Sequence, residues 1–238
     1  MSGNPSQQPT LGGFQTFVQN VMGISPNYLP LDSPSYLYAY NAALNLVNLN
    51  LNCLPAQQGS WSLYSQAVYN LAGHNLIEYA PDQSWPISAA AWASNLVTVT
   101  TSTPNTLYPG DNIAIAGVSP LAYMKPPPPS RGPFIVNSVV DSEHFTYALS
   151  PNPGTANVLA GASVSQTFFQ QLRAACKITA FFPGVVGNAS DVSTSVGIDN
   201  PDFMRGLQLS DLQLLKTPYG QAYLRIAQKA GPTVIGIS

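Results

Sequence analysis

Two apolar periods run through this sequence, a helical one toward both ends and a two-residue one between them. In LGGFQTFVQNVMGI (11–24), Phe14, Phe17, Val18, Val21 and Met22 recur at helical spacing, which predicts a short amphipathic helix. NYLPLDSP reads as a turn-rich connector, and Ser33 before Pro34 is a good N-cap and first-turn pair. From there Tyr36, Tyr40, Ala43, Leu44 and Val47 make one helical stripe. Leu44 to Leu54 also alternates apolar residues with Asn, as a strand would, but the Ala-containing first half and the stop at Pro55 favour a helix running to that proline. After the break at QQGS, Leu63, Ala67, Leu71, Asn75 and Tyr79 share one side of a strong helix that ends before Pro81. That helix is apolar nearly all round, so it belongs inside a bundle. PDQSWPISAAAWASN reads as a loop or short helix.

The period changes at Asn95. Val97 and Val99, then Ile113 and Ile115, alternate with polar residues between Pro-Asn and Pro-Gly-Asp turns. KPPPPSRGP is a Pro-rich loop, and FIVNSVVDSEHFTYAL supplies two strands around Asp141-Ser142-Glu143. NPGTANVLAGASVSQ closes a small all-β unit over about 95–165. Helical spacing returns in TFFQQLRAACKITAFF through Phe168, Leu172, Ala175 and Cys176. PGVVGNASDVSTSVGIDNPDFMRG is loop-like. In LSDLQLLKTPYGQAYLRIAQKA, Ser210 and Asp211 can cap a helix face of Leu212, Leu215, Tyr219, Tyr223, Ile226 and Ala230. Pro218 predicts a break at Thr217 and a fresh helix from Pro218. GPTVIGIS is a terminal strand or extended tail. The fold class expected is therefore α+β: mainly an α-helical bundle interrupted by a small all-β insertion of sandwich or barrel kind. The expected domains are 1–94 and 166–238 for the helical part, the latter with its extended tail, and 95–165 for the insertion.

Charge changes this picture. Only 8 % of residues are charged, against roughly 25 % in an average soluble domain. Disorder driven by charge is excluded by the 45 % apolar content. General nucleic-acid binding is disfavoured, because phosphate contacts need clustered Lys and Arg. A free monomer keeps charge on its surface for solubility, so a neutral polar surface points to coverage by other subunits. Residues 1–124 contain no Lys or Arg, whereas Arg173, Lys177, Arg205, Lys216, Arg225 and Lys229 all follow position 170. These late basic residues are expected at subunit contacts.

Candidate chemistry is sparse. Cys53 and Cys176 are too few for a disulfide framework or a zinc site and read as reduced, buried small residues. His74 and Glu78 have a legal i, i+4 metal spacing, but no third ligand is near, so a hydrogen-bonded core histidine is expected. His144 reads as a surface residue beside a turn. There is no GxSxG, GxGxxG or GxxxxGK[ST]. Asp199 and Asp202 read as turn and cap residues, not paired catalytic carboxylates. NASD and DNPD lack the spacing of a calcium loop. The expectation is no enzyme: no catalytic residue, no cofactor and no metal. The start of the sequence lacks the pattern of a signal peptide and no apolar run is long enough to span a membrane. The chain is expected to stay in the cytoplasm or to leave inside something assembled there.

Divided this way, the chain resembles the head–tail connector (adaptor) proteins of tailed bacteriophages. One stretch that carries the likeness is SPSYLYAYNAALNLVNLNLNCLP followed by GSWSLYSQAVYNLAGHNLIEYA, where Asn70 to Ile77 stands for an AHLL-like segment of the family. The other is TPYGQAY, which matches a T-x-YGQ-x-Y ending through Thr217, Tyr219, Gly220, Gln221 and Tyr223. The likeness covers about 1–94 and 166–238, and the wording of 95–165 resembles β-modules of phage structural proteins. The resemblance implies a structural virion protein in the neck. It implies a homo-oligomeric, dodecameric ring that binds the portal protein and a tail-side stopper or terminator, with genome DNA passing through its lumen without sequence-specific contacts. Thr217, Tyr219, Gly220, Gln221, Tyr223 and Arg225 are the interface residues it implies. Removing 217–238 is then expected to abolish head–tail joining while leaving the other helices folded. The alternatives are another neck, tail-completion or capsid-decoration protein, or a β-module binding a host glycan or protein through Tyr108, Tyr123 and Tyr147.

Overall fold

The computed structural model describes residues 8–53, 61–124, 132–178, 188–191, 194–197 and 213–229. The chain divides into two compact units. One comprises Met1–Gly23, Leu31–Ala80 and Leu172–Ser238, and the other Ile24–Pro30 with Pro81–Gln171.

The first unit is helical among its described residues, apart from one short hairpin. Helix α1 (Leu11–Asn20) starts where the Thr10 hydroxyl accepts the Gly13 N–H at 3.0 Å. Helix α2 (Pro34–Leu46) has Ser33 as its N-cap and Pro34 at its first turn, as the sequence predicts. It does not run on to Pro55. Val47 is extended and a 3-10 turn occupies Leu49–Cys53. The Asn-rich run is the cause: Asn48 turns its side-chain oxygen onto the Asn50 N–H at 2.9 Å, a local bond that competes with the helix ladder. Helix α3 (Leu63–Tyr79) is capped by Ser62 and buried on nearly all sides, including Tyr64, Ala67, Val68, Leu71, Ala72 and Leu76. An aromatic cluster joins it to α1 and α2. Phe14 and Phe17 lie 6.2 Å and 5.9 Å from the Tyr69 ring, and Tyr36 meets Phe14 edge-on. Helix α4 (Phe168–Ala175), of which only Leu172–Ala175 belong to this unit, and helix α5 (Pro218–Lys229) complete the helices among the described residues, and α5 packs on α3. The break predicted at Pro218 is present. Within the stretch read as a loop, Asn188–Asp191 and Thr194–Gly197 pair as an antiparallel hairpin.

The second unit overturns the expected fold class. The chain is not a mainly helical bundle with a small β insertion: six antiparallel strands close into a barrel. They are β1 (Ser84–Ala93), β2 (Leu96–Thr101), β3 (Asn112–Ser119), β4 (Phe134–Val139), β5 (His144–Ala148) and β6 (Asn157–Gln166), in the order β1-β2-β5-β4-β3-β6 with β6 back on β1. Two stretches account for the difference. SWPISAAAWA, read as a loop or short helix, is β1. Its Ala run favours a helix locally, but pairing of Trp85 with Val164 and of Ala91 with Thr98 on the two flanking strands prevails. The Gly/Ser/Ala-rich close of the unit is β6, whose alternation is hidden because Leu159 is exposed while the small Ala162 and the polar Gln166 are buried.

The barrel is filled, with no charged residue in its apolar cluster. Val97, Ile113, Phe145 and Val164 are fully buried, and the Phe134 and Tyr147 rings sit 4.5 Å apart. Two tyrosine hydroxyls inside are satisfied: Tyr147 donates to the Tyr123 carbonyl at 3.0 Å and Tyr123 to the Gly154 carbonyl at 2.7 Å. Gly117 makes a bulge in β3 with φ at +74°, and a Cβ there would stand 2.6 Å from the Ala162 Cα. The connector residues Ile24–Pro30 belong to this unit. Ile24 and Leu29 are buried, and Tyr28 stacks on Phe168 at 4.2 Å. The Tyr28 hydroxyl donates to the buried Asp111 carboxylate at 2.9 Å, and burial and that carboxylate raise the tyrosine's pKa.

Candidate functional site

The TPYGQAY segment forms the start of α5 and the seam between α5 and α3. Pro218 supplies the preset φ of a first helical residue, so the cap falls on Thr217. The Thr217 hydroxyl accepts the Gly220 N–H at 2.9 Å and stands 2.8 Å from His74 Nδ1. His74 Nδ1 and the Thr217 hydroxyl thus share one hydrogen bond, and Nε2 on the other side of the ring lies 3.6 Å from the Glu78 carboxylate. Burial lowers the His74 pKa to about 4, so the ring is neutral at pH 7. His74 is thus the hydrogen-bonded core histidine the sequence predicts.

Threonine, histidine and glutamate in a row have the order of a nucleophile, base and orienting acid. The geometry denies them that chemistry. Thr217 is fully buried and its oxygen is engaged as a helix cap, so no substrate reaches it. Among the described residues no group of three or more His, Cys, Asp or Glu side chains is placed to hold a metal. Asp199 and Asp202 lie outside the described residues, as does the Cys53 side chain, while Cys176 is a half-buried free thiol. His144 is partly exposed and bonded to Asp141 in the β4–β5 turn, where the backbone N–H groups of Glu143 and His144 also reach the carboxylate and hold its pKa down.

The six residues singled out for an interface separate into two groups. Thr217, Gly220 and Tyr223 are buried within the helical unit. A Cβ at Gly220 would strike the backbone of Leu214, so the glycine permits the close turn into α5. Tyr219 is half-buried, with its ring edge 6.0 Å from Phe17. Only Gln221 and Arg225 face solvent. The segment therefore completes the chain's own core. With Tyr223, Leu224 and Ala227 buried, removing 217–238 strips the cover from α3, contrary to the expectation that the other helices stay folded without it. Two late basic residues also work within the chain. Arg173 donates to the Ala80 carbonyl at 2.8 Å and to the Ile77 carbonyl at 3.3 Å, closing the C-terminal end of α3, and Lys216 donates to the Ile178 carbonyl at 3.1 Å. Of the three tyrosines that suggest glycan stacking, Tyr123 and Tyr147 are inside the barrel and only Tyr108 is exposed.

The feature that sequence reasoning missed is the outer face of α2. Its inner face carries Tyr36, Ala39, Tyr40 and Ala43, all buried. Its outer face carries Leu37, Tyr38, Asn41, Ala42, Asn45 and Leu46, all exposed and none charged. Leu37 and Leu46 are each 47 % exposed and Tyr38 73 %, and Leu49 just beyond the helix is 69 % exposed. An exposed helix face ordinarily carries Lys and Glu. The missing charge was itself the signal: 31–50 has one charged residue, Asp32. Comparison of the chain with protein-family models, curated proteins and solved structures finds no match.

Proposed function

We propose that the chain is a structural subunit of a tailed-phage neck, a head–tail connector that works in association with copies of itself and with the portal and tail-side proteins. The observation that carries this reading is the outer face of α2, a helix surface with large apolar side chains and no charge. Such a surface is unusual on a solitary protein and fits the charge-depleted core of a protein interface. The TPYGQAY likeness supports the reading as a packing motif, because Thr217, Gly220 and Tyr223 hold α5 against the bundle. Within α5, Gln221 and Arg225 are the interface residues left to meet a partner. The lack of catalytic geometry among the described residues fits a structural role.

The test is mass spectrometry and immunogold labelling of purified parent particles. The chain is expected in intact virions, at the head–tail junction, and in many copies. Its presence in lysate alone, with none in virions, would reject the reading.

A further inference from the structure

Where β3 and β6 run side by side, the inward row of the barrel ends in polar side chains. Ile113 on β3 stands opposite Gln166, the last residue of β6. By the two-residue period of a strand, Asp111 just before β3 falls in line with Ile113, and Gln166 with Val164 and Ala162. The apolar members of these rows belong to the barrel core, while Asp111 is 6 % exposed and Gln166 2 %. Asp111 Oδ1 receives the Tyr28 hydroxyl at 2.9 Å, and Oδ2 receives the Tyr108 N–H at 2.8 Å and Gln166 Nε2 at 3.3 Å. All three donors are neutral. The described residues of this unit contain no Lys or Arg, and their one histidine, His144, pairs with Asp141. Among the described residues, then, the buried carboxylate has no counter-charge, where buried charges are ordinarily paired or bound to metal.

A second anomaly lies beside it. Gln166 Oε1 is buried and has no hydrogen-bond partner among the described residues. Buried polar atoms in native folds are satisfied by protein, by water or by an ion. A water would serve the amide oxygen and leave the carboxylate unbalanced. A cation serves both. We propose that Asp111 and Gln166 hold a hard, oxygen-seeking cation of the calcium kind at this end of the barrel. The last torsion of a glutamine is soft, so Oε1 can turn onto an ion that rests on the carboxylate. Carboxylate and amide carbonyl oxygens are ordinary calcium ligands, at about 2.3–2.6 Å. A single negative charge sets weak binding, with a Kd of roughly 10⁻⁴–10⁻³ M. Magnesium, with its firm hydration and strict octahedron, suits so sparse a set poorly. Tyr28 is half-buried and Tyr108 exposed, so the site lies just beneath the surface and an ion can enter. The site belongs to the barrel unit alone and holds whether or not the chain is a neck subunit.

The test uses the full chain and terbium(III), a luminescent stand-in for calcium that a nearby tyrosine sensitises; Tyr28 touches the carboxylate. Emission is expected to saturate at a single ion per chain, to fall when calcium is added and to persist when magnesium is added instead. Asp111→Asn and Gln166→Met are each expected to weaken terbium binding by about tenfold or more. Gln166→Glu is expected to tighten it by a similar factor. That variant should also melt below the parent in chelator and recover in calcium, because its second carboxylate repels Asp111 unless an ion lies between them. Asp141→Ala, in the exposed β4–β5 turn, is expected to bind terbium as the parent does. Far-UV spectra establish which variants fold, and if Asp111→Asn does not, the two Gln166 variants decide the matter. Emission that never saturates, displacement by magnesium as readily as by calcium, Gln166 variants that bind like the parent, or a signal lost in Asp141→Ala would overturn the proposal.

Discussion

One hydroxyl ties the last described helix to the centre of the bundle. Thr217 caps α5 through Gly220 and shares a hydrogen bond with His74 on α3, two bonds from a side chain with no exposed surface. Thr217→Val keeps the shape and removes both. It is expected to lower stability by roughly 2 kcal/mol, combining a lost cap with a buried imidazole nitrogen left unsatisfied, as read from urea unfolding. His74 gives this seam a pH dependence whose sign follows from its lowered pKa. The unfolded ring titrates near its ordinary 6.5 and the folded ring at about 4. Between those values the unfolded state binds more protons, so the contribution is complete above about pH 6.5 and is lost as pH falls toward 4. The loss amounts to about 3 kcal/mol. Urea midpoints from pH 7 to 4 should fall more steeply for the parent chain than for His74→Gln, and equal slopes would show that the imidazole contributes nothing. In the barrel unit, Tyr28→Phe removes a bond to a buried carboxylate and is expected to cost about 2 kcal/mol in the same measurement.

At the scale of elements, the first turns of α1 offer a paired comparison. Gly12 has open space where a Cβ would go, whereas at Gly13 the Tyr69 hydroxyl fills that position. Gly12→Ala should raise stability by up to about 1 kcal/mol through helix propensity. Gly13→Ala should lower it, because it displaces the Tyr69 hydroxyl from the Thr10 N–H. Thermal melts of the two variants moving in opposite directions is the expected result. The same scale shows what the sequence made legible. Helix starts marked by Ser-Pro and Thr-Pro stand where local chemistry puts them, because cap and proline act within one turn. The end of α2 was misread because Asn48 competes for the backbone with a local bond that periodicity does not register. Strands β1 and β6 were missed for a different reason. Their inward residues, such as Trp85, Ile87 and Val164, alternate with Ser, Pro, Ala and Gly, so the hydrophobic contrast that marks a strand is weak. At the candidate site, Thr217 was marked by its motif, but its partner His74 lies 143 residues away in sequence. The outer face of α2 carries no periodic mark of its own, because the inner stripe of Tyr36, Ala39, Tyr40 and Ala43 alone specifies the helix.

On the scale of the whole molecule, the sparse charge found in the sequence is spent partly inside the chain. Arg173 and Lys216 hold backbone carbonyls at helix ends, and Asp82 receives the Phe169 and Gln170 N–H groups at the start of α4. All three are half-buried, so among the described residues the exterior carries fewer charges than composition suggests. A chain truncated before Thr217 is expected to lose the helical unit's cooperative melt and to bind a hydrophobic dye, since α3 then lacks α5. A retained melt would show that the seam is dispensable.

The interleaving of the two units has a consequence during synthesis. The barrel's residues end at Gln171, but α3 receives its cover only when α5 is made, and α5 begins at Pro218, 138 positions beyond Ala80. At translation rates of about 5–20 residues per second, roughly 7–30 s pass between the two. For that interval the ribosome carries a barrel able to close and a set of aromatic helices without their last partner. The nascent helices therefore lack the partners that Phe17 and His74 find in Tyr219 and Thr217 of the finished protein, and this is the window in which a chaperone would find its target.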